Sequence, residues 1–166
     1  MKTQRVIFIV LIFIATVQIA SYYPQLPEKV ASHFDGAGNP NGCSSKKEFI
    51  SIYVMVIAVM LLIYLVLPAL FRYIPKSLIS LPKKDYWLAP EKREKTFTFI
   101  AEQMLCFGNA TFILLIATFQ LAIEANLSDT RHFSSNTMWI LLIGYFFFVI
   151  LWSVRFISKF VRAGKQ

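Results

Sequence analysis

Reactive side chains are sparse here: 166 residues include only two cysteines and two histidines, and glycine occurs six times. Two cysteines, Cys43 and Cys106, cannot build a disulfide framework or a four-cysteine metal site. His33 and His132 are far apart in sequence, and no histidine pair lies one helical turn apart, so metal-ligand spacing is absent and no metal is expected. A glycine-rich phosphate loop is missing as well, since Gly36, Gly38 and Gly42 fall in a single turn-rich stretch. No spacing couples Cys43, Ser44 or Ser45 to a base, although His33 could fold back on Cys43. A non-enzyme without cofactors is therefore expected. Acidic residues number nine against seventeen lysines and arginines, for a net charge of +8.

What is abundant is apolar length. The chain is 57% hydrophobic and 16% charged, with a mean hydropathy of +0.58, beyond the usual apolar share of soluble domains. The apolar residues come in long runs rather than alternating faces, and runs of about 20 residues span a bilayer as helices. Four spans are predicted, at about 6–23, 49–71, 97–123 and 138–156, in one membrane domain covering 1–166. Pro68 should kink or thin the end of the second. Lys2 and Arg5 before an apolar core resemble a signal peptide, but cleavage after Ala20 would place Gln18 at a small-residue position. The first run is accordingly expected to be a retained span. The fold class is all-α integral membrane.

Basic residues assign a topology. The N-terminus carries Lys2 and Arg5. The 72–96 connection carries Arg72, Lys76, Lys83, Lys84, Lys92, Arg93 and Lys95, and the C-terminus carries Arg155, Lys159, Arg162 and Lys165. With four spans, these thirteen of seventeen basic residues lie on one side. The positive-inside rule puts that side, with both termini, in the cytoplasm. The charge then sets topology and favours anionic headgroups; nucleic-acid binding would need a basic soluble surface, which is lacking. Cys43 falls outside and Cys106 near the cytoplasmic end of span three, too far apart to pair.

The outer loops are 24–48 and 127–136. The first is too small for its own core. Pro24 and Pro27 end the first helix. Residues 28–34 suit either a short helix or an extended segment. Asp35-Gly36, Gly38 and Asn39-Pro40-Asn41-Gly42 then supply dense turn chemistry. Ser45, with Glu48 three residues on, predicts a capping box for the second span. In the cytoplasmic connection, Tyr86 and Trp87 among cations fit a segment along the headgroups. Pro90-Glu91 opens a third helix that runs as one rod to Asn126. Asn126-Leu127-Ser128 matches a glycosylation pattern, relevant only in a eukaryotic secretory route. No internal repeat or low-complexity tract is evident.

At 100° per residue, Glu102, Cys106, Asn109, Ile113, Ile116, Gln120 and Glu124 share a line on the third helix. Unpaired amides and carboxyls in hydrocarbon are costly, so this stripe should face other helices. Gln18 of the first helix is the natural partner of Gln120, and Asn109 is a second interhelical hydrogen-bonder. Glue between helices is the expected role; a polar pathway through Glu102, Asn109, Gln120 and Gln18 is the alternative. In the first outer loop, His33, Phe34, Asp35, Gly38, Pro40 and Asn41 are the candidate ligand or structural residues.

The stretch LPEKVASHFDGAGNPNGCSSKKEF, Leu26 to Phe49, resembles a bacterial membrane domain of unknown function that occurs at the N-terminus of SdpI-type toxin-immunity proteins. Its pattern falls on Leu26 and Pro27, His33 and Phe34, Gly38, Pro40 and Asn41, and Lys46 or Lys47. Val30-Ala31 departs from it, because the family has proline at the second of these places; the loop should enter His33 less rigidly. KKDYWLAPEKREKT, Lys83 to Thr96, resembles the cytoplasmic connection of stand-alone members. SdpI-type proteins are longer and carry a second membrane module, which is not expected in this chain. The resemblance implies a multi-pass protein of the bacterial inner membrane. Its expected role is non-enzymatic, sensing or sequestering an envelope-active peptide or ligand through the outer loop. The alternative is an accessory subunit of a larger membrane complex. Expected partners are the lipid bilayer with such a peptide or such subunits.

Overall fold

The computed structural model describes residues 2–162; Lys165 and the side chain of Arg72, both counted among the basic residues above, lie outside the described residues. Four helices are long and apolar enough to cross a membrane: α1 (Lys2–Tyr22), α2 (Lys46–Leu70), α3 (Pro90–Leu127) and α4 (Ser135–Arg162). The molecule is a multi-pass membrane protein, mostly helical. Four runs place the connections alternately at two ends. One is called here the hairpin end; the other, which carries the 72–96 connection, the basic end.

The helix boundaries follow from local chemistry. Ser45 caps α2 through a complete capping box, its hydroxyl accepting from Glu48 N while the Glu48 carboxylate accepts from Ser45 N, so two otherwise orphaned amides are satisfied. Near its far end α2 widens into a π-helical turn over Leu62–Val66 before resuming at Leu67–Leu70. Pro68 brings no amide and crowds the carbonyl one turn back, and a wider turn accommodates both. Pro90 occupies the first turn of α3, where its missing N–H costs nothing. That helix runs 38 residues as one rod.

Two clusters form the core. Phe8, Leu11 and Ala15 of α1 meet Tyr53, Ile57 and Met60 of α2 and Leu105 and Phe112 of α3. Gly108 lets the helices approach closely there, because a Cβ on it would lie 2.6 Å from the Tyr64 ring. Nearer the hairpin end, Leu26, Val30, Phe49, Ile50 and Ile123 pack together. The outer three helices differ in role: α1 and α2 share the core with α3, while α4 lies along α3 and presents Ile140, Ile143, Phe147 and Ile150 outward.

The all-α expectation needs one correction. Residues 24–48 contain an antiparallel hairpin, β1 (Lys29–Phe34) and β2 (Pro40–Ser45). Of the two options open for residues 28–34, the extended one is adopted. A lone hairpin is marginal in water; this one is held because Val30 enters the core and both ends of the turn are bonded.

At the basic end, the connection folds back on α4. Lys83 and Trp87 donate to the carbonyls of Val161 (2.9 Å) and Phe160 (3.2 Å), which lie in the last turn of α4, where carbonyls lack helical donors. A cation there also complements the helix dipole. The single helical turn Lys84–Trp87 is tied to α3 by Thr96, which donates to Trp87 O at 2.9 Å. Trp87 therefore packs on protein, with its ring 5.2 Å from that of Phe160.

Candidate functional site

The hairpin turn is built around Asp35. Its Oδ1 accepts from the amides of Asn39 (2.8 Å) and Ala37 (2.9 Å), and its Oδ2 from Asn39 Nδ2 (3.3 Å). These donors, the Asn39 amide foremost, hold its carboxyl below the usual carboxylate range. Asp35 is thus a turn former with both oxygens engaged, a common use of this side chain. Gly38 follows with φ of +92°. Its carbonyl accepts from Phe133 N at 2.8 Å, and a Cβ there would stand 2.2 Å from Phe133 O. Only glycine fits both the backbone angle and the contact. Phe34 completes this junction by packing its ring 4.9 Å from that of Phe133.

Pro40 and Asn41 are exposed. Pro40 opens β2, where a missing donor is tolerated, and pairs with Phe34. The register then skips Asn41, so that His33 faces Gly42. The imidazole lies over that glycine, 3.1 Å from where a Cβ would be, and is itself exposed. Cys43 is opposite Ala31, not His33, and is exposed. Among the described residues, no three of His, Cys, Asp and Glu gather in a way that could hold a metal ion.

Asn126 is the residue that sequence reasoning missed. Its Oδ1 accepts from Ala31 N at 2.7 Å and its Nδ2 donates to Ala31 O at 2.9 Å. One side chain at the end of α3 so imitates a neighbouring strand and satisfies a buried stretch of β1. A second bond to Ala122 O fixes the amide. Asn126 is 5% exposed, which leaves it no room to carry a glycan despite its tripeptide. Ala31, where the resemblance would put a proline, has the N–H that this clamp uses. Entry to His33 is thereby fixed by a hydrogen bond instead of a ring. The only sequence signal was an asparagine at the end of a predicted helix.

Lys46 supplies a further tie. Its ammonium donates to Leu26 O (3.1 Å), pairs with Glu28 (3.2 Å) and lies 5.0 Å from the Tyr23 ring centre. Of the two lysines matching the pattern, Lys46 is drawn in while Lys47 is exposed.

Between the hairpin and the ends of α3 and α4 lies a cleft of about 340 Å³, lined by His33, Phe34, Thr118, Phe133, Met138 and Trp139 among others. Aromatic and apolar side chains make up much of its wall, alongside the His33 imidazole, the Asp35 carboxylate and the hydroxyls of Thr118 and Ser135. Such a surface can take an apolar or aromatic group.

The intramembrane polar residues are engaged with one another. Gln18 donates to Gln120 Oε1 (2.7 Å) and Ile116 O (3.3 Å), and accepts from the Tyr53 hydroxyl. Gln120 in turn donates to Tyr22 Oη (3.2 Å) and Glu124 (2.8 Å). Asn109 donates to Gln4 Oε1 at 2.7 Å and Gln4 O at 3.1 Å. Glu102 is partly buried near the basic end. The stripe as a whole does not face one way. Ile113 is 52% exposed and Glu124 is exposed, whereas Leu105, Gly108, Phe112 and Ile123 are buried. A central helix with partners on two sides buries a broader, tilted band than a single line. A Thr111–Tyr145 hydroxyl contact at 2.8 Å joins α3 to α4 and was not foreseen.

No curated protein and no solved structure matches this chain. Residues 9–61 match the family model described as Domain of unknown function (DUF1648). The matched segment spans most of α1, the whole hairpin and α2 to its π-helical turn, so the part of the chain resembling that domain is the part that builds the hairpin.

Proposed function

We propose that this is a small non-enzymatic protein of the bacterial inner membrane, with both termini cytoplasmic, whose outer hairpin senses or sequesters an envelope-active peptide or similar amphipathic ligand. The observation that carries this reading is the aromatic cleft under a hairpin fixed at two separate points, Asn126 and Gly38. A fixed lip over an apolar cleft is a surface with its ordering cost already met, which favours capture of a flexible ligand. The thirteen-residue basic bias supports the orientation. Engagement of Asp35 in its own turn narrows the contact residues to His33 and Phe34, with Trp139 across the cleft.

The test is a susceptibility panel of membrane-active peptides on cells with and without the chain. Loss of the chain should sensitise cells to at least one peptide, and His33→Ala should reproduce the loss at equal protein level. Unchanged inhibitory concentrations throughout would reject the reading. Orientation is tested separately: an impermeant maleimide on spheroplasts should label Cys43 and spare Cys106. The alternative, an accessory subunit, draws support from the broad apolar outer face of α4; purification in mild detergent would then bring down stoichiometric partners.

A further inference from the structure

Three clefts lie along α3 and α4 and meet at shared residues. The first, of about 520 Å³ at the basic end, has Lys92, Lys95 and Lys159 around a floor that includes Tyr86, Trp87 and Phe160, with Glu91 as its carboxylate. The second, of about 480 Å³, shares Phe99 and Lys159 with the first and adds Arg155. The third, of about 370 Å³, shares Phe148 with the second and is lined almost wholly by apolar groups, with Gly144 open to it.

Charge and surface thus change together along this line, cationic at one end and hydrocarbon at the other. Two of the cations, Lys92 and Lys159, are oriented by aromatic rings. Lys92 lies 3.3 Å from the centre of the Tyr86 ring and Lys159 lies 3.5 Å from that of Phe99; a ring face orients an ammonium but leaves its charge available. Four basic groups against one carboxylate line the first two clefts. Lys92, Lys95 and Lys159 lie just outside the predicted spans 97–123 and 138–156 and Arg155 at the end of the latter, where lipid headgroups are expected to meet aromatic and basic side chains.

We propose that the α3–α4 groove binds an anionic phospholipid. Its phosphate sits among Lys92, Lys159 and Arg155, and one acyl chain lies along Phe148 and Leu141 past Gly144. The shared chemistry is a phosphate ester, which a soluble phosphate could also offer. The apolar continuation of the groove is what favours the lipid.

The test uses the full chain, delipidated in neutral detergent, with retained lipid counted by native mass spectrometry and thermal protection measured in parallel. The probes are dioleoyl phosphatidylglycerol, dioleoyl phosphatidylcholine and inorganic phosphate. Phosphatidylglycerol should bind and protect; the other two should not. Lys92→Gln with Lys159→Gln should weaken that binding about thirtyfold, the loss expected for two basic contacts. Lys29→Gln with Lys47→Gln, at the other end, should leave it intact and so controls for charge in general. Gly144→Leu places its Cβ in open space and should weaken phosphatidylglycerol binding while the protein still folds. Equal protection by phosphatidylcholine, full protection by inorganic phosphate, or binding unchanged in both the double-lysine and Gly144→Leu variants would each overturn the proposal.

Discussion

The two ends of this protein are held by different physics. At the hairpin end, short directional hydrogen bonds fix a backbone: Asn126 on Ala31, Phe133 N on Gly38 O, and Asp35 on its own turn. At the basic end, ammonium groups lie on rings, an exposed Lys76–Asp85 pair spans 2.7 Å, and Trp87 and Lys83 close off α4. The first arrangement specifies one conformation, since a buried backbone group left without its partner is expensive. The second tolerates displacement, because cation–ring and exposed ionic contacts are individually weak and broad in geometry. A fixed lip suits recognition, while a forgiving cationic end suits a headgroup that comes and goes.

The contrast can be broken most severely at Asn126. Asn126→Ala leaves the buried N–H and C=O of Ala31 without partners and should cost about 3 kcal/mol, seen as a lower thermal midpoint in detergent. Gly38→Ala comes next. It forces a side chain into a left-handed backbone and against Phe133 O, for about 2 kcal/mol, with proteolytic nicking of the hairpin as the readout. At the basic end, Trp87→Phe loses the bond to Phe160 O but keeps the ring contact, and should cost only about 0.5–1 kcal/mol. A larger loss there than at Asn126 would invert the comparison.

The smallest effect is one of pH. The Asp35 carboxyl is depressed below its ordinary value by the Asn39 amide first, so its contribution is complete above the ordinary carboxylate pKa. It fades as pH falls through the lowered folded value. Protection of the 35–39 turn amides relative to their intrinsic exchange rates should therefore fall on acidification in that range, and Asp35→Asn should flatten the dependence. The Asp85 carboxyl is lowered too, by its bond to Lys76 and then by that charge, so acid and salt should both loosen that exposed pair.

Much of the helical frame was legible because bilayer length and hydropathy act on whole segments. The four runs, the Ser45–Glu48 capping box and Pro90 at the head of α3 all rest on local rules. The partnership of Gln18 with Gln120 was accessible for a similar reason: lone amides in apolar helices at like depth have few other options. The hairpin was harder. Residues 28–34 alternate too weakly to declare a strand, and it is Val30 in the core and Asn126 from 95 residues away that decide it. For Asp35 the sequence left a ligand role and a structural role open, and the bonds from Ala37 and Asn39 give it the structural one. The seven-residue stripe on α3 failed as a single line for a tertiary reason, since α4 covers one flank and α1 the other.

The account depends most on the hairpin being fixed through Asn126, and the amide of Ala31 reports this directly. Hydrogen exchange of the intact protein in detergent should find that amide strongly protected, far more than those of the exposed Gly36–Ala37 tip. Its protection should collapse in Asn126→Ala while the core amides of α2 stay slow. Exchange at Ala31 as fast as at the tip in the unsubstituted protein would contradict the clamp, and with it the fixed lip over the cleft.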